Sequence, residues 1–327
     1  MLLSIIVPVY NVEQYIRPCL ESIYKQGLCD DAFEVVLVND GTQDDSFGQI
    51  NDFLEIHHNI HVIEQDNQGL SVARNTGVKN AIGDYVLFVD SDDLLVENSL
   101  VQLFAQLADK TVDLLIADFV KMTNEEISQQ SKIVNEGNSI LKSGKEAFLN
   151  DLDPRQCYVW RTIYKKSFLE KNNISFIPGI FFEDVPFTTE CYLKANLCIK
   201  SSVMFYIYRQ RQGSIVSSIN TRKMIDMNRV VERLWMMRNE FVLSRELDEK
   251  MLNMIFATFS LVMWYLSNTA ILKPYRKQII KDLNNRVPDL CFSRTFKQRM
   301  VSLLFKHAPY LYVGGLAFIH DVRQRFS

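Results

Sequence analysis

No Cys-x-x-Cys pair occurs in this chain. Its six cysteines (Cys19, Cys29, Cys157, Cys191, Cys198 and Cys291) form no regular framework, so they read as reduced packing cysteines of a cytosolic protein. No Gly-x-Gly-x-x-Gly follows the first expected strand, which disfavours a nicotinamide dinucleotide, and no Gly-x-x-x-x-Gly-Lys-Ser/Thr phosphate loop is present. There is no basic surplus: 36 Lys and Arg stand against 39 Asp and Glu, a formal charge of −3, which argues against nucleic acid as a partner. The first residues lack a basic region and a small-residue cleavage site, so they are expected to form a strand ended by Pro8 and not a signal peptide. The five histidines (His57, His58, His61, His307 and His320) lie outside every motif, and no Ser-His-Asp or Cys-His arrangement is suggested.

What the chain has is length, apolar content and clustered acid. Its 327 residues, 47% of them hydrophobic, suffice for one large domain or two ordinary ones. The central stretch is Asp84 to Asp93: five bulky apolar residues, Tyr85 to Val89, run directly into Asp90, Asp92 and Asp93. An unbroken apolar run reads as a strand buried on both faces, and open α/β sheets bind ligands beyond the carboxyl ends of their strands. Clustered carboxylates repel one another unless a cation joins them, and Mg²⁺ or Mn²⁺ takes carboxylate oxygens and bridges them to phosphates. The plainer alternative is that Asp93 starts a turn and Asp92 caps a helix beginning near Glu97.

The preceding segments alternate between strand and helix. Strands are expected over 4–7, 33–38 and 61–64, with helices after an Asn11 cap, over 46–57 and over 70–81. That alternation predicts crossover units in an α/β fold with a doubly wound, mostly parallel sheet. Tyr10 and Asp40 fall at adjacent strand ends, where a ring and a carboxylate can stack on a base and accept its N–H. Alone, Tyr10 could merely cover the sheet edge and Asp40 merely form an Asx turn.

Four blocks in order resemble a family 2 glycosyltransferase with the GT-A fold. They are Ser4 to Asn11, Val38 to Ser46, Asn67 to Gly77, and Gly83 to Asp93, the last containing the Asp-x-Asp of the family as Asp90-Ser91-Asp92. Asn39 and Thr42 depart from the residues usual in the second block. The resemblance implies that Pro8, Tyr10 and Asp40 line the uracil site of a UDP-sugar, with Arg74 at the base or phosphate. It further implies that Asp90 faces the ribose or the metal and that Asp92 ligates Mn²⁺ or Mg²⁺ on the diphosphate. The segment 160–169, beginning at Trp160, resembles the part that family members place under the acceptor. Glu183-Asp184, flanked by Phe181, Phe182 and Phe187, matches the acceptor-activating acid pair, with Asp184 as general base and Glu183 in support. Apolar surroundings raise a carboxylate's pKa towards useful basicity, although a helix N-terminus also favours acids for its own sake. The segment 209–215 resembles a loop that closes over the donor phosphates, through Arg211 and Ser214, with Gly213 permitting movement. Some relatives place a histidine metal ligand here; this sequence has none.

The resemblance covers residues 1–215, divided into a donor half, 1–93, and an acceptor half, 94–215. Strands are expected over 112–120 and 202–208, with an edge strand over 133–136 and a short helix over 144–149. Residues 216–327 read as a helical extension, with helices over 224–243, 251–272 and 294–319 punctuated by Pro274, Pro288 and Pro309. The stretch 251–270 is uncharged but too polar for a good membrane span, so a packed helix is expected. Near the end, 301–306 and 310–313 mix apolar residues with Lys297, Arg299, Arg323 and Arg325, the composition of an interfacial helix; a core-sealing helix or a dimer contact fits equally. The resemblance implies an inverting, metal-dependent transfer from a UDP-sugar to a glycan, often lipid-linked, in capsule or cell-envelope polysaccharide synthesis. The expected location is the cytoplasm, at the inner face of the membrane. The alternatives are a non-catalytic nucleotide-sugar-binding or scaffold domain and a metal-dependent nucleotidyl or phosphoryl transferase.

Overall fold

The computed structural model describes residues 2–107, 111–129, 133, 137–211, 219–292 and 295–326, the last nine by backbone alone. The chain divides into two compact units. The first comprises Met1–Leu152, Cys157–Gly179 and Phe187–Gln212; the second comprises Asp153–Gln156, Ile180–Pro186 and Gly213–Ser327. Two short pieces of the expected acceptor half thus group with the helical C-terminal unit.

The first unit is built on one mixed sheet. Its strands are β1 (Leu3–Val9), β2 (Phe33–Asp40), β3 (Ile60–Gln65), β4 (Tyr85–Phe88), β5 (Leu94–Leu95), β6 (Leu114–Thr123), β7 (Ser139–Lys142), β8 (Thr162–Lys165) and β9 (Cys198–Gln210). The order is β3-β2-β1-β4-β8-β6-β9-β5, with β7 also paired to β9. Four pairings are parallel: β1 with β2 and β4, β2 with β3, and β6 with β9. Those involving β8, β5 and β7 are antiparallel. Every residue of β1 is buried, which is why this strand reads as continuous apolar sequence. The register sets Val9 opposite Asn39 and Ile6 opposite Phe88, so Tyr10, Asp40 and Asp90 leave the sheet at one edge.

Helices α1 (Ile16–Tyr24), α2 (Asn51–Ile56), α3 (Leu70–Asn80), α4 (Ser99–Leu107), α5 (Asn124–Gln129), α6 (Gly144–Asn150) and α7 (Lys166–Lys171) belong to this unit, as does α8 (Asp184–Lys194) beyond its first turn. Helix α3 lies close on the sheet because Gly77 has no side chain; a Cβ there would come within 2.3 Å of Ile6 Cγ2. Asn11 is not a helix cap. Its φ of 52° is left-handed, and its side chain accepts from Gln43 N at 3.0 Å while its own N–H donates to Thr42 Oγ1 at 2.7 Å. Ser46 Oγ likewise accepts from Val12 N. Ser46 therefore ties two loops together instead of starting a helix; α2 begins only at Asn51, after a 3₁₀ turn over Gly48–Ile50.

The second unit is helical among the described residues: α9 (Thr221–Glu240), α10 (Arg245–Asn268), α11 (Arg276–Arg286), α12 (Phe296–His307) and α13 (Pro309–Phe326). Side-chain caps start three of them, Asn220 on α9, Ser244 on α10 and Thr295 on α12. The expected single helix over 294–319 is two, because Pro309 is suited to the first position of a helix and not to its interior. Helix α11 has only three buried apolar residues, Ile279, Ile280 and Leu283. It is held to α9 by Asn228 Nδ2, which donates to Ile279 O at 3.0 Å and Asp282 Oδ2 at 2.9 Å, and by Arg286 on Glu232 at 2.8 Å. Helix α10 is long and apolar enough to cross a membrane by length and composition alone. Its buried residues, among them Met251, Ile255, Phe259, Val262 and Leu266, recur every three to four positions, and it packs on α9 and α13. Of the expected edge strand over 133–136, residue 133 is not in a strand and residues 134–136 lie outside the described residues.

Candidate active site

Three strand ends of the first unit build the candidate site. Tyr10, beyond β1, is 43% exposed, a ring open to solvent. Asp40, the last residue of β2, is buried, and three N–H groups converge on it: Gln65 Nε2 at 2.7 Å, Gln68 N at 2.9 Å and Gly69 N at 2.9 Å. Its carboxylate shapes the loop entering α3. Gly69, with φ of 86°, makes that entry in a backbone region open to glycine.

The acidic turn after β4 is more elaborate. Arg74 on α3 is 1% exposed; its Nη2 donates to Asp90 Oδ1 at 2.8 Å and its guanidinium lies 5.4 Å from the Phe176 ring centroid. Asp93 N closes the turn onto Asp90 O at 2.9 Å. The Asp93 side chain points inward, accepting from Tyr206 Oη at 2.8 Å and Arg209 N at 2.8 Å. Burial, followed by the neighbouring Asp92 and Asp90 charges, pushes its carboxyl well above the usual carboxylate range. Burial also raises the Tyr206 hydroxyl, which stays a neutral donor while accepting from Asp90 N at 3.1 Å. Asp92 faces the other way. Its Oδ2 accepts from Arg211 Nε at 2.7 Å and its carbonyl from Arg209 Nε at 2.7 Å. Both guanidiniums lie over Tyr15, at 5.3 Å for Arg209 and 4.8 Å for Arg211. A cavity of about 400 Å³ opens beside Tyr15 and Arg209, bounded also by Gln14, Pro18, Asn124 and Ile127.

Of the expected site residues, Asp90, Arg74, Asp92 and Arg211 come together here, and Pro8, Tyr10 and Asp40 share their sheet edge. Trp160 is 2% exposed and stacks between Tyr158, at 4.6 Å and 8°, and Tyr206, at 4.1 Å and 5°. With both indole faces covered, it supports the acidic turn through Tyr206 and offers no surface to an acceptor. Glu183 and Asp184 belong to the second unit, Glu183 buried and Asp184 half-buried at the first residue of α8. Just before them, Phe181 N donates to Asp226 Oδ2 at 3.3 Å and Lys223 Nζ lies 5.1 Å over the Phe181 ring. Ser214 lies outside the described residues. Tyr15, Asn124 and Tyr206 were not expected from sequence; Asp93 was visible in the acidic cluster but not its inward bonds to Tyr206 and Arg209, and Arg209 was visible only as part of the Tyr208-Arg209-Gln210-Arg211 pattern.

No cluster of three or more His, Cys, Asp or Glu side chains fit to hold a metal ion by itself occurs among the described residues. Asp90 and Asp92 are nonetheless hard oxygen donors of the kind Mg²⁺ and Mn²⁺ prefer, and each already spends one oxygen on an arginine. The donor set fits a divalent ion only with further oxygens from a bound diphosphate.

A mixed, mostly parallel sheet with an acidic turn at its carboxyl edge, followed by a helical region, is the architecture of a GT-A-like glycosyltransferase. Residues 4–171 match the family described as Glycosyl transferase family 2, and the chain belongs to that family. It is 34% identical over 217 residues to the uncharacterized glycosyltransferase EpsJ of Bacillus subtilis, covering 65% of this chain and 62% of EpsJ. It is 33% identical to glycosyltransferase GlyA of Streptococcus pneumoniae, over 65% of this chain and 31% of GlyA. The matches thus span less than two thirds of either relative. Among solved structures it is similar to residues 1–349 of S. aureus TarS, in complex with UDP (TM-score 0.76, 22% identity, 99% of this chain and 92% of that one) and with UDP-GlcNAc (TM-score 0.75, 23% identity, 100% and 93%). The shared fold covers the whole chain, the helical extension included.

Proposed function

We propose that this chain is an inverting glycosyltransferase that moves a sugar from a UDP-sugar to a hydroxyl of a glycan acceptor, lipid-linked, in bacterial cell-surface polysaccharide synthesis. The carrying observation is the pairing of Arg74 with Asp90 and Arg211 with Asp92 at the carboxyl edge of the sheet. Two cations and two acids there suit a diphosphate and its counter-ion. TarS, of the same fold, is known in complex with UDP and UDP-GlcNAc, which favours uridine as the donor's nucleoside.

In this reading Tyr10 stacks on the uracil, and Asp40 holds the loop that frames it. Asp92, assisted by Asp90, would hold Mn²⁺ or Mg²⁺ through carboxylate oxygens. When bound, such an ion neutralises the charge that grows on the leaving group. Arg211 turns its fork to the diphosphate oxygens. Asp184 takes the proton of the acceptor hydroxyl as that oxygen bonds to the anomeric carbon. The bond from that carbon to the diphosphate breaks, and UDP departs with the electron pair. One displacement from the opposite face inverts the anomeric configuration. The reaction would take place at the cytosolic face of the membrane.

Thermal unfolding with UDP, with Mn²⁺ and with both, on the native chain and Asp92→Ala, tests the donor site. Ligand at about 100 times its Kd adds roughly 2.7 kcal/mol of stability. The expected result is a shift that is largest with both ligands and lost in the variant. A response to another nucleotide would overturn the donor, and silence towards every nucleotide would favour a scaffold.

A further inference from the structure

Helix α12 carries its amphipathicity inside out. Its inward residues are Gln298, Val301, Ser302 and Phe305, two of the four polar. Both polar groups are satisfied: Ser302 Oγ accepts from Phe292 N at 2.6 Å, and Gln298 Nε2 donates to Asn253 Oδ1 at 3.2 Å. Its outward residues include Phe296, Met300, Leu303 and Leu304, which are 81%, 40%, 54% and 41% exposed. With 3.6 residues per turn, these four fall within an arc of about 100° opposite the buried one. Single exposed apolar residues are ordinary, but four on one stripe are not. The adjoining start of α13 adds exposed Tyr310 and Leu311.

The charge beside the stripe is mostly basic, although Asp289 shares a cavity with Arg299, Leu303 and Lys306. By the same helical geometry Lys297 borders one side and Arg299 and Lys306 the other, all three exposed. No Asp or Glu occurs between residues 290 and 320, and residues 273–320 hold nine Lys and Arg against two Asp, in a chain whose overall charge is −3. The segment that carries the stripe is therefore net basic.

We propose that the outer face of α12 docks in the plane of an anionic lipid bilayer. Phe296, Met300, Leu303 and Leu304 enter below the headgroups, while Lys297, Arg299 and Lys306 extend their stems to the lipid phosphates. A second copy of this chain is the poorer occupant. A two-fold contact through α12 would set the same cations against one another. This inference rests on the helical unit alone and does not depend on the donor site.

The test is flotation of the full chain with phosphatidylcholine vesicles, with and without about 30% phosphatidylglycerol, at low salt and at about 0.5 M salt. Binding should require the anionic lipid and weaken at least tenfold in high salt. The double variant Leu303→Ser/Leu304→Ser and the triple variant Lys297→Gln/Arg299→Gln/Lys306→Gln should each lose at least tenfold. All these side chains are exposed, so the Tm should stay within about 2 °C of native. The UDP-induced stability shift, read in the same samples, reports the donor site separately. Absence of binding to anionic vesicles, undiminished binding by both variants, or a native dimer that Leu303→Ser/Leu304→Ser dissolves would each overturn the proposal.

Discussion

Arg211 Nε lies 2.7 Å from Asp92 Oδ2, and the guanidinium rests 4.8 Å from the centroid of the Tyr15 ring. An arginine side chain thus supplies the positive charge that an aspartate between Asp90 and Asp93 requires. In the proposed reaction the same guanidinium is wanted by the diphosphate, so donor arrival means a change of partner for Arg211.

Arg211→Gln should therefore have opposite effects on two ligands. Mn²⁺ alone should bind several-fold more tightly, because Asp92 loses its internal competitor. UDP with Mn²⁺ should bind about tenfold more weakly, the worth of one charge-assisted hydrogen bond. Titrations of Mn²⁺ with and without UDP check this; parallel losses of both affinities would remove Arg211 from the competition.

Tyr206→Phe should keep the stack on Trp160 and delete the hydroxyl that joins Asp90 N to Asp93 Oδ2. Leaving buried partners short of a hydrogen bond costs about 1–3 kcal/mol. Urea unfolding should show that loss, and UDP binding should weaken with it because the turn carrying Asp92 is less firmly held. An unchanged midpoint would mean that the hydroxyl bridge contributes nothing to stability.

Asp184→Asn keeps size and hydrogen bonding while removing the base. Turnover should fall at least about 100-fold, the usual contribution of a general base, while the UDP-induced stability shift is retained. Full activity in this variant would take Asp184 out of the mechanism.

The cysteines give a prediction in pH. Cys29 and Cys291 are exposed, and the other four are buried. Burial raises the Cys19 and Cys191 thiols well above their ordinary range and pushes Cys198 up to about 12. Alkylation of the native chain near pH 8 should label Cys29 and Cys291 and spare the rest, as read by mass spectrometry. For a thiol whose folded pKa is raised, the folded state holds its proton longer than the unfolded one. Stability should thus be fully present below about pH 8.5, the unfolded value, and decline from there towards about pH 12. A flat stability profile above pH 8.5 would contradict the burial argument.

The sequence reveals β1 and β2 because burial on both faces leaves an apolar run that nothing else explains. It reveals the Asp90-Asp92 turn and Arg74 because they fall in blocks of recognisable spacing. Asn11 misleads because its composition suits a cap, whereas its partners Thr42 and Gln43 arrive from another loop. Helix α11 is hidden by its polarity: what secures it is hydrogen bonding from Asn228 and an ion pair from Glu232, not a stripe of apolar residues. The burial of Trp160 is hidden for a related reason. The resemblance sets it in the segment under the acceptor, but its stack with Tyr206 arises from the order β8-β6-β9, which no local pattern contains.

The bond from Asp90 N to Tyr206 Oη spans 116 residues of chain, as does that from Arg209 N to Asp93 Oδ1. During synthesis, β1 to β4 can pair as soon as they emerge and Arg74 can reach Asp90, but the Asp93 side chain lacks its partners until β9 follows. At about 5–20 residues per second, that interval is roughly 6–23 s. A nascent chain ending before Tyr206 should carry a sheet in which Asp93 is without its hydroxyl and amide donors. Pulse proteolysis of chains stalled on either side of Arg209 should therefore find the turn cleaved in the shorter chain and protected in the longer.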